Sequence, residues 1–266
     1  MGFFTARGIR LRYRDSGSGV PLLLLHAFPL SGAMFEAQVA ALSGQGRLVV
    51  PDQRGFGKSA LGEGPSTMGG LAEDALALLD HLGIAQAVVG GVSMGGYVAL
   101  ALLRQDPGRV RGLVLADSQV GADDEAARAA REMLAQEVLL GGMDVLVEKQ
   151  LPRLLSTSAS KQLRAHVADM IRATAPAGAA AALRGMALRA DGRDILSRFG
   201  GPVLVVVGEE DSLTPPEKAR TMAKLLPQAR LVEIPRAGHL SNLEAPELFN
   251  DALLRFLRQL PANSSP

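Results

Sequence analysis

Ser93 stands between two glycines in Gly91-Val92-Ser93-Met94-Gly95, inside a run that begins Val88-Val89-Gly90 and continues Tyr97-Val98-Ala99-Leu100. The run changes from a strand pattern through clustered glycines to a helix pattern, and G-x-S-x-G in that context fits a sharp strand-to-helix turn with the serine at its apex. Small neighbours let the adjoining backbone approach closely while the hydroxyl projects, and helix-start N–H groups point to where negative charge would develop. A glycine-rich turn without chemistry has the same regular expression, and only the strand before and helix after favour the nucleophile. A dinucleotide fingerprint fails on spacing, because Ser93 occupies the second glycine position counted from Gly91.

A serine hydroxyl needs a base, and the base needs a group that holds its tautomer. The chain has four histidines: His26, His81, His166 and His239. His239, in Ile234-Pro235-Arg236-Ala237-Gly238-His239-Leu240, follows the last strand pattern, at the carboxyl end where open α/β sheets place ligands. His81 reads as a solvated helix-end residue and His166 as a surface residue of an inserted segment. For the orienting acid, Asp211 follows a core strand pattern, with Glu209 and Glu210 as neighbours that compete for the role. Asp117, after another strand pattern, is a second candidate. An acidic loop capping the next helix is the bland reading of residues 209–211, and the chain order nucleophile, acid, histidine favours Asp211.

The elements that must position these groups are short apolar runs at 21–25, 48–50, 87–92, 110–115, 203–207 and 231–234, as expected of strands covered on both faces. Residues 3–15 read as a further strand or hairpin. Helical spacing occupies 32–42, 68–82, 94–105, 216–226 and 243–260. This alternation predicts a mostly parallel sheet flanked by helices. Residues 120–199 show no strand pattern. So long a loop is improbable in a compact domain, and a helical insertion is expected over one edge of the sheet. The tail 261–266 is expected to fray.

Composition narrows the function class. Lys and Arg total 28 against 27 acidic residues, which leaves no electrostatic footprint for nucleic acid or an anionic membrane. Cysteine is absent, so a disulfide framework, a thiol nucleophile and thiolate metal sites are excluded. The first five residues do not read as a secretory signal, and no apolar run approaches the roughly 20 residues that span a bilayer. A soluble, cytoplasmic chain is the expectation.

Gly91-Val-Ser-Met-Gly95, the Asp211 loop and Gly238-His239 resemble the α/β-hydrolase superfamily over nearly the whole chain. His26-Ala27-Phe28-Pro29 is similar to its H-G-x-P segment, and Asp52-Gln53-Arg54-Gly55-Phe56-Gly57-Lys58-Ser59 to its D-x-R-G-x-G-x-S stretch. The resemblance implies an α/β-hydrolase fold with a core at 1–119 and 200–266 and a helical cap at 120–199. It implies Ser93, Asp211 and His239 as catalytic residues and the main-chain N–H groups of Phe28 and Met94 as the oxyanion hole. Ala27 departs from the usual glycine and requires a negative φ. His26 is expected to tie loops together and Arg54 to fasten its own loop, with carboxylate binding as the alternative for Arg54. Gly57-Lys58-Ser59 is no P-loop, since Asp52 holds the first glycine position.

A serine at the elbow separates the chain from dehalogenases and epoxide hydrolases, which use a carboxylate there. The closest resemblance is to small capped esterases, enol-lactonases and cofactor-free haloperoxidases. The expected function is hydrolysis of small to medium carboxylic esters or lactones, acyl-homoserine lactones among them, through an acyl-enzyme. Alternatives are a perhydrolase or haloperoxidase, a 3-oxoadipate enol-lactonase, or a ligand receptor of the same fold. No metal or organic cofactor is expected. The partner is a small-molecule ester or lactone, with no nucleic acid and no membrane. Substrate choice is assigned to the insertion, whose apolar side chains include Met133, Leu134, Leu139, Leu140, Met143, Leu146, Leu151, Leu154, Leu155 and Met186. Arg128, Arg131 and Arg153 read either as solvated or as favouring an acidic lactone.

Overall fold

The computed structural model describes residues 1–226 and 228–260; the tail 261–266 lies outside them. The chain opens with a hairpin of β1 (Gly2–Ala6) and β2 (Ile9–Gly17). Its turn residues Arg7 and Gly8 both have positive φ, 50° and 79°, as a two-residue turn matched to strand twist requires. Then follow β3 (Pro21–Leu25), β4 (Arg47–Pro51), β5 (Ala87–Val92), β6 (Val110–Ala116), β7 (Val203–Gly208) and β8 (Arg230–Ile234), all mutually parallel, in an eight-stranded sheet of order β1-β2-β4-β3-β5-β6-β7-β8.

The parallel strands read as unbroken apolar runs because both faces are covered, and the pleat divides their side chains by alternation. Leu23, Leu25, Val89, Leu113, Leu115, Val205 and Val207 enter one core with α2 (Met68–His81), α3 (Met94–Gln105) and α9 (Pro216–Lys224). Leu22, Leu24, Val88, Val114, Leu204 and Val206 enter the other, with α1 (Glu36–Leu42) and α11 (Pro246–Arg258). Two predicted helices divide. Residues 32–42 form a 3-10 turn, Gly32–Phe35, before α1. Residues 241–258 form α10 (Ser241–Glu244) and then α11, because Pro246 lacks an N–H and begins a fresh helix at its first position.

Between β6 and β7 lie α4 (Glu125–Gly141), α5 (Asp144–Leu154), α6 (Lys161–Arg172), α7 (Pro176–Ala187) and α8 (Arg193–Ser197), with no strand among them. The helix α7 rests on core loops at two glycines. A methyl group on Gly178 would run into the main chain of Gly55, and one on Gly185 into that of Ser66. No helix among the described residues is long and apolar enough to cross a membrane.

The strand order reverses between β3 and β5, so the loops following them diverge and leave a crevice at the carboxyl edge of the sheet. The loop after β4 is tied to the loop after β3, where the Gln53 N–H donates to His26 Nε2 at 3.0 Å. Buried Asp52 accepts the main-chain N–H groups of Gly32 and Lys58, both at 3.0 Å. Arg54 is engaged in a two-pronged pair with Asp74 of α2, at 2.6 and 2.5 Å, the side chains being 11% and 8% exposed. It fastens its loop, with Nε and Nη2 both engaged by Asp74. Arg7 also reaches Asp74, at 3.2 Å. Arg54→Ala is expected to lower the unfolding free energy by about 3 kcal/mol, since a largely desolvated carboxylate loses its principal partner. Urea unfolding measures this, and an unshifted midpoint would show that the pair contributes nothing.

Candidate active site

Ser93 joins β5 to α3 with φ 53° and ψ −114°, a main-chain conformation that L-residues avoid and that costs on the order of 1–3 kcal/mol. Its surroundings enforce it. A side chain at Gly91 would strike the main chain of Gly95, and one at Gly95 would strike the Leu25 carbonyl. The Ser93 N–H donates to the Ala116 carbonyl at 2.9 Å, and its carbonyl accepts from the Gly96 N–H and the Ser118 hydroxyl, each at 2.9 Å. The residue is therefore clamped between β6 and the first turn of α3.

His239 comes from the loop after β8 and Asp211 from the loop after β7. His239 Nε2 lies 2.8 Å from Ser93 Oγ, and His239 Nδ1 lies 2.8 Å from Asp211 Oδ2. Both side chains are buried. Asp211 Oδ1 accepts the N–H groups of Leu213 and Thr214, at 2.8 and 2.9 Å, and Oδ2 accepts the Thr214 hydroxyl at 2.7 Å. Burial alone would raise the Asp211 carboxyl, but the hydrogen bond and charge of His239, with the donors of Thr214, outweigh it and hold the acid below its ordinary value. An ionised Asp211 takes a proton only as an acceptor, so Nδ1 donates and Nε2 is left to accept from the serine hydroxyl.

The rival acids go elsewhere. Glu209 and Glu210 are exposed. Asp117, at the end of β6 with φ 46°, is fully buried but makes no hydrogen bond to His239. Its Oδ1 accepts the Gly208 N–H at 2.9 Å, and its Oδ2 accepts the Ser241 hydroxyl at 2.6 Å and the Ser241 N–H at 3.2 Å. Burial, then the nearby charge of Asp211, raises its carboxyl from 3.8 to about 7. Asp117 thus joins the base of the Asp211 loop to the base of the His239 loop. Glu244 adds a second tie, accepting the N–H groups of Gly238 at 2.8 Å and Ser156 at 3.0 Å. Thr214, Ser118, Ser241 and Glu244 were not foreseen as site residues. Thr214 and Glu244 do lie within short polar stretches flanking Asp211 and His239, but which loop each side chain serves is a matter of three-dimensional direction.

His26 is fully buried, with Nδ1 3.0 Å from the Ala27 carbonyl and Nε2 accepting the Gln53 N–H at 3.0 Å. Burial lowers its titration to about 4, so it stays neutral as a tie between the loops after β3 and β4. Its ring meets Phe56 edge-on at 5.1 Å, and Phe56 meets Phe28 at 6.3 Å, so the tie extends to Phe28. His81 ends α2, exposed, with Nε2 3.3 Å from the Tyr13 hydroxyl, and His166 is exposed on α6. Phe28 follows β3 and Met94 opens α3. Among the described residues neither main-chain N–H has a hydrogen-bond acceptor. Ala27 is outside the positive-φ region, so its methyl group is accommodated.

Ser93 and His239 open into a cavity of about 360 Å³, walled by Phe28, Leu134, Leu154, Leu183, Met186 and Leu213. Of the insertion's apolar residues singled out from sequence, only Leu134, Leu154 and Met186 reach it. Met133, Leu139 and Leu140 face outward, and the rest pack within the helical layer or lie at its margins. Arg131 and Arg153 line the cavity and Arg128 does not. Among the described residues no three acidic or histidine side chains gather as metal ligands.

A family model for the α/β hydrolase fold matches residues 20–246. A thermophilic esterase of Thermogutta terrifontis, solved with malate bound, is 39% identical and superposes with a TM-score of 0.94 over 98% of this chain and 97% of its own. A 3-oxoadipate enol-lactonase of Acinetobacter baylyi is 33% identical over 230 residues, 85% of this chain and 84% of its own. A bromoperoxidase of Bacillus anthracis is 25% identical, with a TM-score of 0.85 over 94% of this chain and 96% of its own. With the parallel sheet, the serine elbow and the family match in agreement, the chain belongs to the α/β hydrolase fold family.

Proposed function

We propose that the protein is a serine hydrolase of carboxylic esters or lactones that works through an acyl-enzyme. The observation that carries the reading is the continuous chain Ser93 Oγ, His239 Nε2, His239 Nδ1, Asp211 Oδ2, with 2.8 Å at each hydrogen-bonded step, beside an open cavity. As Ser93 Oγ bonds to the carbonyl carbon, its proton passes to His239 Nε2. The carbonyl oxygen becomes an oxyanion held by the Phe28 and Met94 N–H groups, donors that contribute about 3 kcal/mol each at such positions. The C–O bond then breaks and the departing alcohol, tethered in a lactone, takes the proton from His239. Water adds to the acyl carbon, gives a proton to His239, and the acid leaves as Ser93 regains that proton. Asp211 stays ionised and steadies the imidazolium in both halves.

In this reading residues 120–199 act as a cap on a core made of 1–119 and 200–266, and substrate choice follows from α4, α5 and α7, whose side chains face the cavity. The likeness to an esterase and an enol-lactonase supports ester and lactone substrates. The likeness to a bromoperoxidase supports a second reading, in which hydrogen peroxide replaces water at the acyl-enzyme. Peroxide-dependent halide oxidation measured beside ester hydrolysis separates the two.

On an ester and lactone panel, Ser93→Ala is expected to lower kcat by on the order of 10⁴-fold or more; a variant with the native rate would end the assignment. Asp211→Asn should lose about 10⁴-fold, because the amide stabilises the wrong tautomer, whereas Asp117→Asn should lose far less. The opposite ranking would move the orienting role to Asp117.

Asp117 also makes a stability prediction. Between its ordinary 3.8 and about 7 the folded chain keeps a proton that the unfolded chain has released. Fewer protons are then bound in the unfolded state, so this group's contribution falls as pH rises through that window, by on the order of a few kcal/mol at most. The advantage of the native chain over Asp117→Asn in unfolding free energy should shrink from about pH 5 to about pH 8. A difference that grows over that range contradicts the assignment.

A further inference from the structure

The cavity wall carries charge of one sign. Beside the nucleophile's cavity lies a second one of about 270 Å³, and the two share Tyr97 and Gln119. Arg131 and Arg153 line the first, Arg104 and Arg189 the second, and among the described residues no carboxylate lines either. Arg104 is neutralised from behind by a two-pronged pair with Asp194, at 2.9 and 2.6 Å.

The other three arginines are short of counter-charge. Arg131 and Arg189 share a single carboxylate, that of Asp123. Arg131 Nε donates to its Oδ2 at 2.5 Å, and Arg189 Nη1 lies 2.7 Å from its Oδ1. Asp123 and Arg189 are enclosed, their side chains 5% and 3% exposed, and the Arg189 guanidinium lies over the Tyr97 ring at 4.4 Å. Among the described residues no second acid approaches either guanidinium, so two cations and one anion leave a net positive charge in a poorly solvated place. Arg131, with its side chain 22% exposed, is the member that reaches the nucleophile's cavity. Its Nη1 contacts only the Met186 sulfur, at 3.4 Å, and its Nη2 has no partner among the described residues. Arg153 lines the same cavity with no hydrogen-bond or ionic partner among the described residues.

We infer that the cavity is built for esters or lactones that carry a free carboxylate besides the scissile bond, received by Arg131 with Arg153 as the second cation. The inference rests on the reading of Ser93 as nucleophile and adds the substrate's charge to it. A carboxylate beside Arg131 restores an alternating set of two guanidinium groups and two carboxylates. Asp123 already orients Arg131, so little side-chain freedom is lost on binding, and a planar guanidinium matches a carboxylate edge to edge. A neutral group of equal length leaves the excess charge uncompensated.

The test compares kcat/KM for p-nitrophenyl hydrogen glutarate with p-nitrophenyl valerate, and for 4-acetoxybutanoate with butyl acetate, so that the carboxylate sits on the acyl side in one pair and the alcohol side in the other. At low ionic strength the charged member of at least one pair should be favoured about tenfold or more, and the preference should shrink as salt rises. Arg153→Gln and Arg131→Gln should each bring the ratio down severalfold. Among the described residues Arg153 has no partner to lose, so its variant keeps the test sound if Arg131→Gln, which leaves Asp123 with Arg189 alone, fails to fold. Calorimetry with glutarate on the Ser93→Ala protein should show binding that Arg153→Gln weakens. Intact hydrolysis of the neutral esters without any charge preference, or glutarate that fails to bind, overturns this inference alone. Glutarate binding with all four esters left uncleaved supports the cation site and overturns only the serine-hydrolase reading.

Discussion

A serine held at φ 53° and ψ −114° is the constraint on which the arrangement depends. In that conformation the peptide chain passes from strand to helix within one residue, and the hydroxyl comes within hydrogen-bond distance of His239. The strain is sustained because the parallel strands on either side are almost wholly buried. Relaxing Ser93 would drive the backbone of α3 into β3 at Gly95 or break the bond to Ala116 in β6. Local strain and global packing are thus coupled, and the glycines are the points of contact between them.

The two partners of Ser93 come from loops that have no short-range reason to meet. Their approach is set by polar groups buried beneath them. Asp117 accepts from Gly208, at the foot of one loop, and from Ser241, just past the other. Glu244 binds Gly238 from the opposite side and reaches Ser156 in the inserted segment. Each of these carboxylates answers main-chain donors that would otherwise be orphaned. Asp211 and Asp117 are both buried, yet one is held ionised and the other is pushed towards neutrality. The difference is that Asp211 faces His239 with the Thr214 donors, whereas Asp117 faces Asp211 from full burial. The two carboxylates thus differ in surroundings, one hydrogen-bonded to the imidazole and the other to the feet of the two loops.

The helices between β6 and β7 supply much of the cavity's apolar wall, with Phe28 and Leu213 completing it, and carry Arg131 and Arg153. Family members with this fold vary in chemistry while the core persists, so specificity has to be sought in side chains such as Leu134, Leu183, Arg131 and Arg153 rather than in the sheet. The sharing of Asp123 between Arg131 and Arg189 is a property of α4 meeting the residues after α7, not of either segment alone.

Residues whose chemistry is dictated by their immediate neighbours were legible from the chain itself. The glycines around Ser93, the doubly buried strands and the histidine after the last strand follow from needs within a few residues, and these determined the fold class and singled out Ser93 as the candidate nucleophile. The parallel sheet and the helices between 120 and 199 follow from periodicity. Helix ends were less legible: Pro246 restarts a helix that periodicity joins across it. Both Asp211 and Asp117 follow buried strands, and in sequence only the chain order favoured Asp211 over Asp117. The tertiary structure places Asp211 beside His239 and Asp117 beneath both loops, because a side chain's direction depends on the φ of its own residue and on partners such as Gly208 and Ser241 that are distant in sequence but adjacent in space. The same holds for the inserted helices, where Ala- and Leu-rich faces look alike until packing decides that Leu134 and Leu154 meet the cavity while Leu140 meets solvent. Local sterics are written in sequence; which buried charges share a partner is decided by surfaces that come together only on folding.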